Sequence, residues 1–263
     1  MANWTDWSAL EDACGTAEHV PALLDRFEAD PSGTASELID HLCPQLDTAF
    51  PASFAALPRL AALAATSTGH DLSAVLMAAG SIVSCATTGS EVFEVFAAPI
   101  ADLHRLTDRS LRTTEDPGEY VDLLQYLLSF EGVETWDRHL DGVGTGEYEV
   151  DCPHCGVPIL LVTGDGDGSG DGSGDGDDCA DCFATTDEHA PDEHAPDEAE
   201  KAPLRPAAPD ELDALAARLH TRARTDAQPS VAHRLRHLFG PAACPDCGTA
   251  FRVADRLAAH PAY

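Results

Sequence analysis

The chain has 263 residues, 46 acidic side chains against 15 basic ones, and a formal charge of −31, a field that repels phosphate backbones and anionic bilayers and favours a basic protein as partner. At this length two unequal units can each bury a core without disulfide support. The opening Met1-Ala2-Asn3-Trp4-Thr5-Asp6 lacks the basic start and apolar core of a signal peptide, and the longest apolar stretch, Ala74 to Cys85, is too short to span a bilayer, so the expectation is a cytoplasmic protein with reduced cysteines.

Residues 1–141 carry helical periodicity almost throughout. Apolar residues recur at i, i+3, i+4 and i+7 in Val20, Leu23, Leu24 and Phe27, and the same spacing returns at Leu72, Val75, Leu76, Ala79 and Val83 and at Val121, Leu124 and Leu128. Turn signals separate the helices at Asp30-Pro31-Ser32-Gly33, Ser67-Thr68-Gly69, Thr88-Gly89-Ser90 and Asp116-Pro117-Gly118. A weak repeat underlies the pattern, in which a proline opens an apolar run at Pro21, Pro58 and Pro99. The offsets of 37 and 41 residues suit helical hairpins of the HEAT or armadillo kind, which bury their apolar faces by stacking on their neighbours. Proline in a first helical turn costs little, because its missing N–H would have no partner there.

After Trp136 the pattern changes. Gly142-Val143-Gly144-Thr145-Gly146 reads as a turn, and residues 146–163 read as two strands, Glu147–Val150 and Val157–Val162, around a first Cys-x-x-Cys. Residues 164–203 hold a Gly-Asp-Ser run and a repeated Asp-Glu-His-Ala-Pro, and 164–200 contain 14 acids and no base; such a segment cannot bury a core and is expected to be a disordered acidic linker. A helical pair is predicted over 209–240, opening at Pro209-Asp210-Glu211 and stopped by Gly240-Pro241, and residues 241–263 add a second Cys-x-x-Cys and a short strand.

The strongest chemical signal is the matched pair Cys152-Pro153-His154-Cys155-Gly156 and Cys244-Pro245-Asp246-Cys247-Gly248. Two intervening residues let both thiolates reach one ion from a tight turn, with Pro stiffening it and Gly supplying the positive φ that follows. Four thiolates fill the tetrahedral shell of one Zn2+, so Cys152, Cys155, Cys244 and Cys247 are expected to form a structural site with no position left for substrate. The separation of 88 residues is long for a ribbon, but each doubling of a flexible loop adds only about 0.6 kcal/mol of closure cost. A rival pairing joins the first knuckle to Cys179 and Cys182, which lack the flanking Pro and Gly; alternatively these two are unliganded, form half of a second site completed by His189 or His194, or act as a redox pair. Cys14, Cys43 and Cys85 read as small buried apolar residues, and His104, His139 and His233 as surface or satisfied core histidines.

Other signals are weaker. Asp165 to Asp171 resembles the first half of an EF-hand loop, but its twelfth position is Gly176 and neither flank is helical. The sequence holds no Gly-x-Ser-x-Gly elbow, no His-Glu-x-x-His and no nucleotide-binding glycine spacing.

The segments Trp7-Ser8-Ala9-Leu10, Gly15 to Leu24 and Phe50 to Pro58 resemble a family of bacterial HEAT-like repeat proteins without an assigned activity, some of which carry a CPxCG zinc ribbon after the helices. That resemblance implies an α-solenoid over roughly the first 140 residues and supplies no activity. The fold expected is mainly α: a HEAT/armadillo-like helical-hairpin solenoid, followed by a small α+β zinc-ribbon-like module interrupted by the acidic segment. The function expected is a non-enzymatic protein–protein interaction scaffold, in its sharpest form an immunity- or antitoxin-like binder of a basic partner. No small-molecule substrate is evident. The alternative is a nucleic-acid or transcription-associated zinc-ribbon protein, suggested by Arg218, Arg222, Arg224, Arg234 and Arg236 and opposed by the overall charge.

Overall fold

The computed structural model describes residues 5–164, 182–186 and 201–259. The Gly-Asp-Ser run, the EF-hand-like stretch, Cys179, His189 and His194 lie outside them. The chain is mainly helical and divides into two compact units, one formed by Met1–Thr114 with Asp122–Arg138 and the other by Glu115–Val121 with His139–Ala262. Among the described residues no helix is long and apolar enough to cross a membrane.

The first unit opens with a two-stranded hairpin, β1 (Glu11–Asp12) and β2 (Gly15–Thr16), and continues through α1 (Val20–Ala29), α2 (Pro31–Leu42), α3 (Pro51–Ala64), α4 (Gly69–Ser84), the short α5 (Glu91–Val95), α6 (Ala97–Leu111) and α7 (Pro117–Glu131), whose first turn belongs to the second unit. The periodic apolar residues form its core: Val20, Leu23, Leu24, Phe27, Val75, Leu76, Ala79, Val83, Leu124 and Leu128 are all buried. Helix starts follow local chemistry. Asp30 caps α2 by accepting from the Gly33 amide at 3.1 Å, and at the head of α3 the Ser53 hydroxyl accepts from the Phe50 amide at 2.9 Å while donating to the Leu42 carbonyl.

Helix contacts fall into two sets. Helix α1 packs on α3, and α3 on α6; α2 packs on α4, and α4 approaches α7 so closely at Gly80 that an added Cβ would lie 2.5 Å from the Tyr126 ring. Consecutive helices also pack, α1 on α2 and α3 on α4, and a hydrogen bond of 3.2 Å between His104 and Glu131 joins α6 to α7. The proline rule holds only in part. Pro21 and Pro99 sit in first turns, but Pro58 lies inside α3, which Pro51 opens seven residues earlier. Leu57 and Leu60 on either side of Pro58 are fully buried, so tertiary packing carries the helix past a residue that removes one of its hydrogen bonds.

The second unit contains α8 (Asp141–Thr145), a sheet ordered β3 (Glu147–Asp151), β4 (Pro158–Val162), β5 (Phe183–Thr185) and β6 (Ala202–Pro203), then α9 (Ala214–Thr225), α10 (Pro229–Leu238), the hairpin β7 (Pro241–Ala243) with β8 (Ala250–Arg252), and α11 (Val253–Ala259). Three expectations are corrected. The glycine-rich stretch after Leu140 forms a short helix, closed by Gly146 at φ 83°, where the expectation was a turn that breaks the helix. Helix α9 starts at Ala214, because the Asp213 carboxylate caps it by accepting from Ala216 at 2.8 Å, whereas Glu211 turns back to accept from the Ala208 amide. The segment read as wholly disordered contributes β5, which pairs with β4 on one side and β6 on the other and buries Ala184 and Thr185.

Candidate metal centre

The two knuckles are built alike. In the first, β3 delivers Cys152, whose amide donates to the Val157 carbonyl at 2.9 Å, and the Gly156 amide donates back to the Cys152 carbonyl at 3.1 Å. In the second, the Cys244 amide donates to Thr249 at 3.0 Å and the Gly248 amide to Cys244 at 2.9 Å. Gly156 and Gly248 adopt φ of 73° and 71°, the left-handed conformation that lets each turn close without a Cβ penalty. Helix α11 helps to hold the two knuckles in register: it packs on β3, and its Arg256 Nε donates to the Asp151 carbonyl at 3.1 Å.

Together the knuckles bring Cys152, Cys155, Cys244 and Cys247 to one point, with all four sulfurs within 4.8 Å of one another. The Cys152–Cys247 and Cys155–Cys244 sulfurs are 3.6 and 3.8 Å apart. A disulfide requires about 2.05 Å. A tetrahedral ion with metal–sulfur bonds of about 2.3 Å requires sulfur–sulfur edges near 3.8 Å, the spacing of these two pairs. The geometry therefore fits a metal ion, and these four cysteines could hold one. The rival arrangement is not formed among the described residues: Cys182 lies elsewhere.

Electrostatics within the cluster favour a cation. Burial works to raise the Cys152 thiol, but amide N–H groups of Cys155 and His154 directed at its sulfur bring it down to about 6, and the Thr249 hydroxyl and amide lower Cys247. Cys244 is pushed up, first by burial, while at Cys155 the pull of the Val157 amide is outweighed by burial and the crowding of the other three sulfurs. Four thiols this close cannot all ionise against one another, whereas a dication at their centre stabilises every thiolate at once.

Two further clusters escaped sequence reasoning. In the second unit, Cys182, His233 and His237 place their donor atoms within 4.8 Å of one another, with Cys182 Sγ 3.6 Å from His233 Nε2. His233 therefore belongs to a cluster, and the histidine pair at i and i+4 on α10 was the available signal. In the first unit, the buried Asp12 carboxylate meets His19 Nε2 at 2.9 Å and His41 Nδ1 at 3.2 Å, and accepts from the Cys14 amide at 2.9 Å. Those hydrogen bonds account for the burial of Asp12 without an ion. Cys14 itself is exposed, against expectation, while Cys43 is buried with its sulfur 3.6 Å from that of half-buried Cys85. His104 pairs with Glu131 at the surface.

No protein-family model matches the chain, and neither a curated protein nor a solved structure matches it.

Proposed function

We propose that the chain is a non-catalytic, cytoplasmic binding protein in which HEAT-like stacked helical hairpins present an acidic, partly apolar surface to a basic protein partner, and a module folded around one structural zinc ion at Cys152, Cys155, Cys244 and Cys247 follows. The hairpin reading is supported by the two sets of helix contacts, α1–α3–α6 and α2–α4–α7, which are the neighbours that stacked pairs would make. Zinc is supported by the all-thiolate donor set and the tetrahedral spacing, and such a filled shell suits folding better than catalysis.

The observation that carries the binding role is a cleft of about 350 Å³ in the first unit, lined by Phe50, Pro51, Phe54, Val92, Val95 and Phe96, with Glu91 at its edge. Val95 is 69% exposed, unusual for a large apolar side chain beside three phenylalanines. An apolar cleft in a region of 6 arginines and 23 acids over residues 1–145 fits an apolar anchor flanked by Lys or Arg. The test is a display library of apolar-anchored peptides with basic, neutral or acidic flanks. The expected outcome is enrichment of basic-flanked peptides whose affinity falls steeply with salt and is lost in Val95→Ser. Equal enrichment of all three classes, or binding untouched by that substitution, would refute the reading.

The nucleic-acid alternative has one observation in its favour, a cavity of about 540 Å³ beside α9 and α10 lined by His220, Arg224, His233 and Arg236. It predicts retention of single-stranded RNA at moderate salt. Failure to retain it leaves the protein-binding reading.

A further inference from the structure

We propose that Cys182, His233 and His237 form a second metal site, for a zinc-class divalent ion, distinct from the four-cysteine centre and independent of it. His233 and His237 stand four residues apart on α10, so both rings project from one helix face; their centroids are 4.7 Å apart and tilted by 56°. Opposite that face, Cys182, the residue before β5, brings its sulfur to 3.6 Å from His233 Nε2. An ion bound by one thiolate at about 2.3 Å and imidazole nitrogens at about 2.0 Å sets a sulfur–nitrogen edge of about 3.5 Å, close to the distance found. Cys182 and His237 are 3% and 2% exposed, so the donor set is sheltered as metal ligands require.

Two features separate this arrangement from a chance thiol–imidazole contact. A single hydrogen bond needs one histidine, whereas here a second, from the next turn of the same helix, brings a ring nitrogen within 4.8 Å of the same sulfur. The strand that carries the thiol also needs an anchor. Described residues 182–186 are flanked on both sides by long Asp- and Glu-rich sequence, and fixing each backbone costs about 1–2 kcal/mol, which the burial of two small side chains in β5 repays poorly. Coordination from Cys182 to α10 supplies what the three-residue strand lacks and ties β5, and through it β6, to the helical pair. The arginines beside His233, Arg224 and Arg236, oppose a bare cation; a ligand set bringing its own negative charge, as the Cys182 thiolate does, offsets them.

The test is metal stoichiometry of the full chain by native mass spectrometry after zinc loading and desalting. Two zinc ions are expected for the wild type, one for His237→Phe, and two again for His237→Cys, which replaces one ligand by another. Cobalt titration of the unsubstituted protein guards against a misfolded variant: two equivalents are expected to bind, the all-thiolate site giving stronger charge-transfer absorption than the mixed one. A single equivalent in the wild type, or two ions retained in His237→Phe, would overturn the second site. Retention of both ions in Cys244→Ser, with one lost in His237→Phe, would instead count against the structural-zinc reading and leave this site standing.

Discussion

Stripping metal from the protein should unfold the second unit and spare the first. In small zinc-folded domains the ion contributes about 10–16 kcal/mol at neutral pH, whereas a whole domain is stable by only about 5–15 kcal/mol. The hairpin β7–β8 has three residues per strand, and the sulfur cluster and α11 tie the two knuckles together, so the second unit's own apolar core around Leu161, Leu235 and Phe239 must offset a loss as large as a domain's whole stability. Helices α1 to α7 draw on a separate apolar core around Phe27, Leu38, Leu57, Leu76 and Leu103. Of the 121 α-helical residues among those described, α8 to α11 hold 34. Excess chelator should therefore remove about a quarter of the 222 nm circular dichroism, in step with metal release followed by a zinc-sensitive dye, and leave a second transition on heating. A signal unchanged after complete metal release would show that the cysteines do not hold the module. A total loss would show that the first unit cannot stand on its own core.

Gly80→Val places a side chain where the Tyr126 ring already sits, and overpacking of that kind costs about 1–3 kcal/mol; calorimetry of the first unit's transition should show Tm lower by roughly 3–10 °C. The Cys43 thiol donating to Cys85, together with the Arg138 guanidinium at 3.3 Å, outweighs burial and lowers Cys85 to about 7, so its alkylation by iodoacetamide should be half-maximal near neutral pH and move alkaline in Arg138→Met. Burial raises Asp137 from 3.8 to about 6, so the folded state binds this proton more tightly than the unfolded chain. The group's stabilisation is full below about pH 4 and lost as pH rises through 6, by up to about 3 kcal/mol. Asp137→Asn should accordingly gain stability over the wild type at pH 7 and not at pH 4 by urea denaturation.

The four-cysteine cluster was legible because each half announces itself locally: Pro stiffens the turn, Gly closes it, and strand-like residues flank it, so 88 intervening residues did not obscure the match. The helices of the first unit were legible for the same reason, since a 3.6-residue period needs no knowledge of its neighbours. What failed depended on tertiary context. Pro58 marks no helix start because buried Leu57 and Leu60 hold α3 together around it, and Glu211 opens no helix because the nearer Asp213 takes the capping role. His233 and His237 show only a spacing shared by countless amphipathic helices, and their third partner, Cys182, lies 51 residues from His233 in a stretch whose composition argues for disorder. Composition averages over a segment, whereas one buried thiol with two histidines across from it can order five residues inside an otherwise unfavourable run. The acidic insertion is therefore better regarded as two acidic lengths of chain meeting at a pinned strand. Deleting residues 187–200 should leave both metal sites and the sheet order β3-β4-β5-β6 intact, while deleting 182–186 should cost one ion. An equal loss of metal in both deletions would mean that the strand draws its order from its acidic flanks and not from α10.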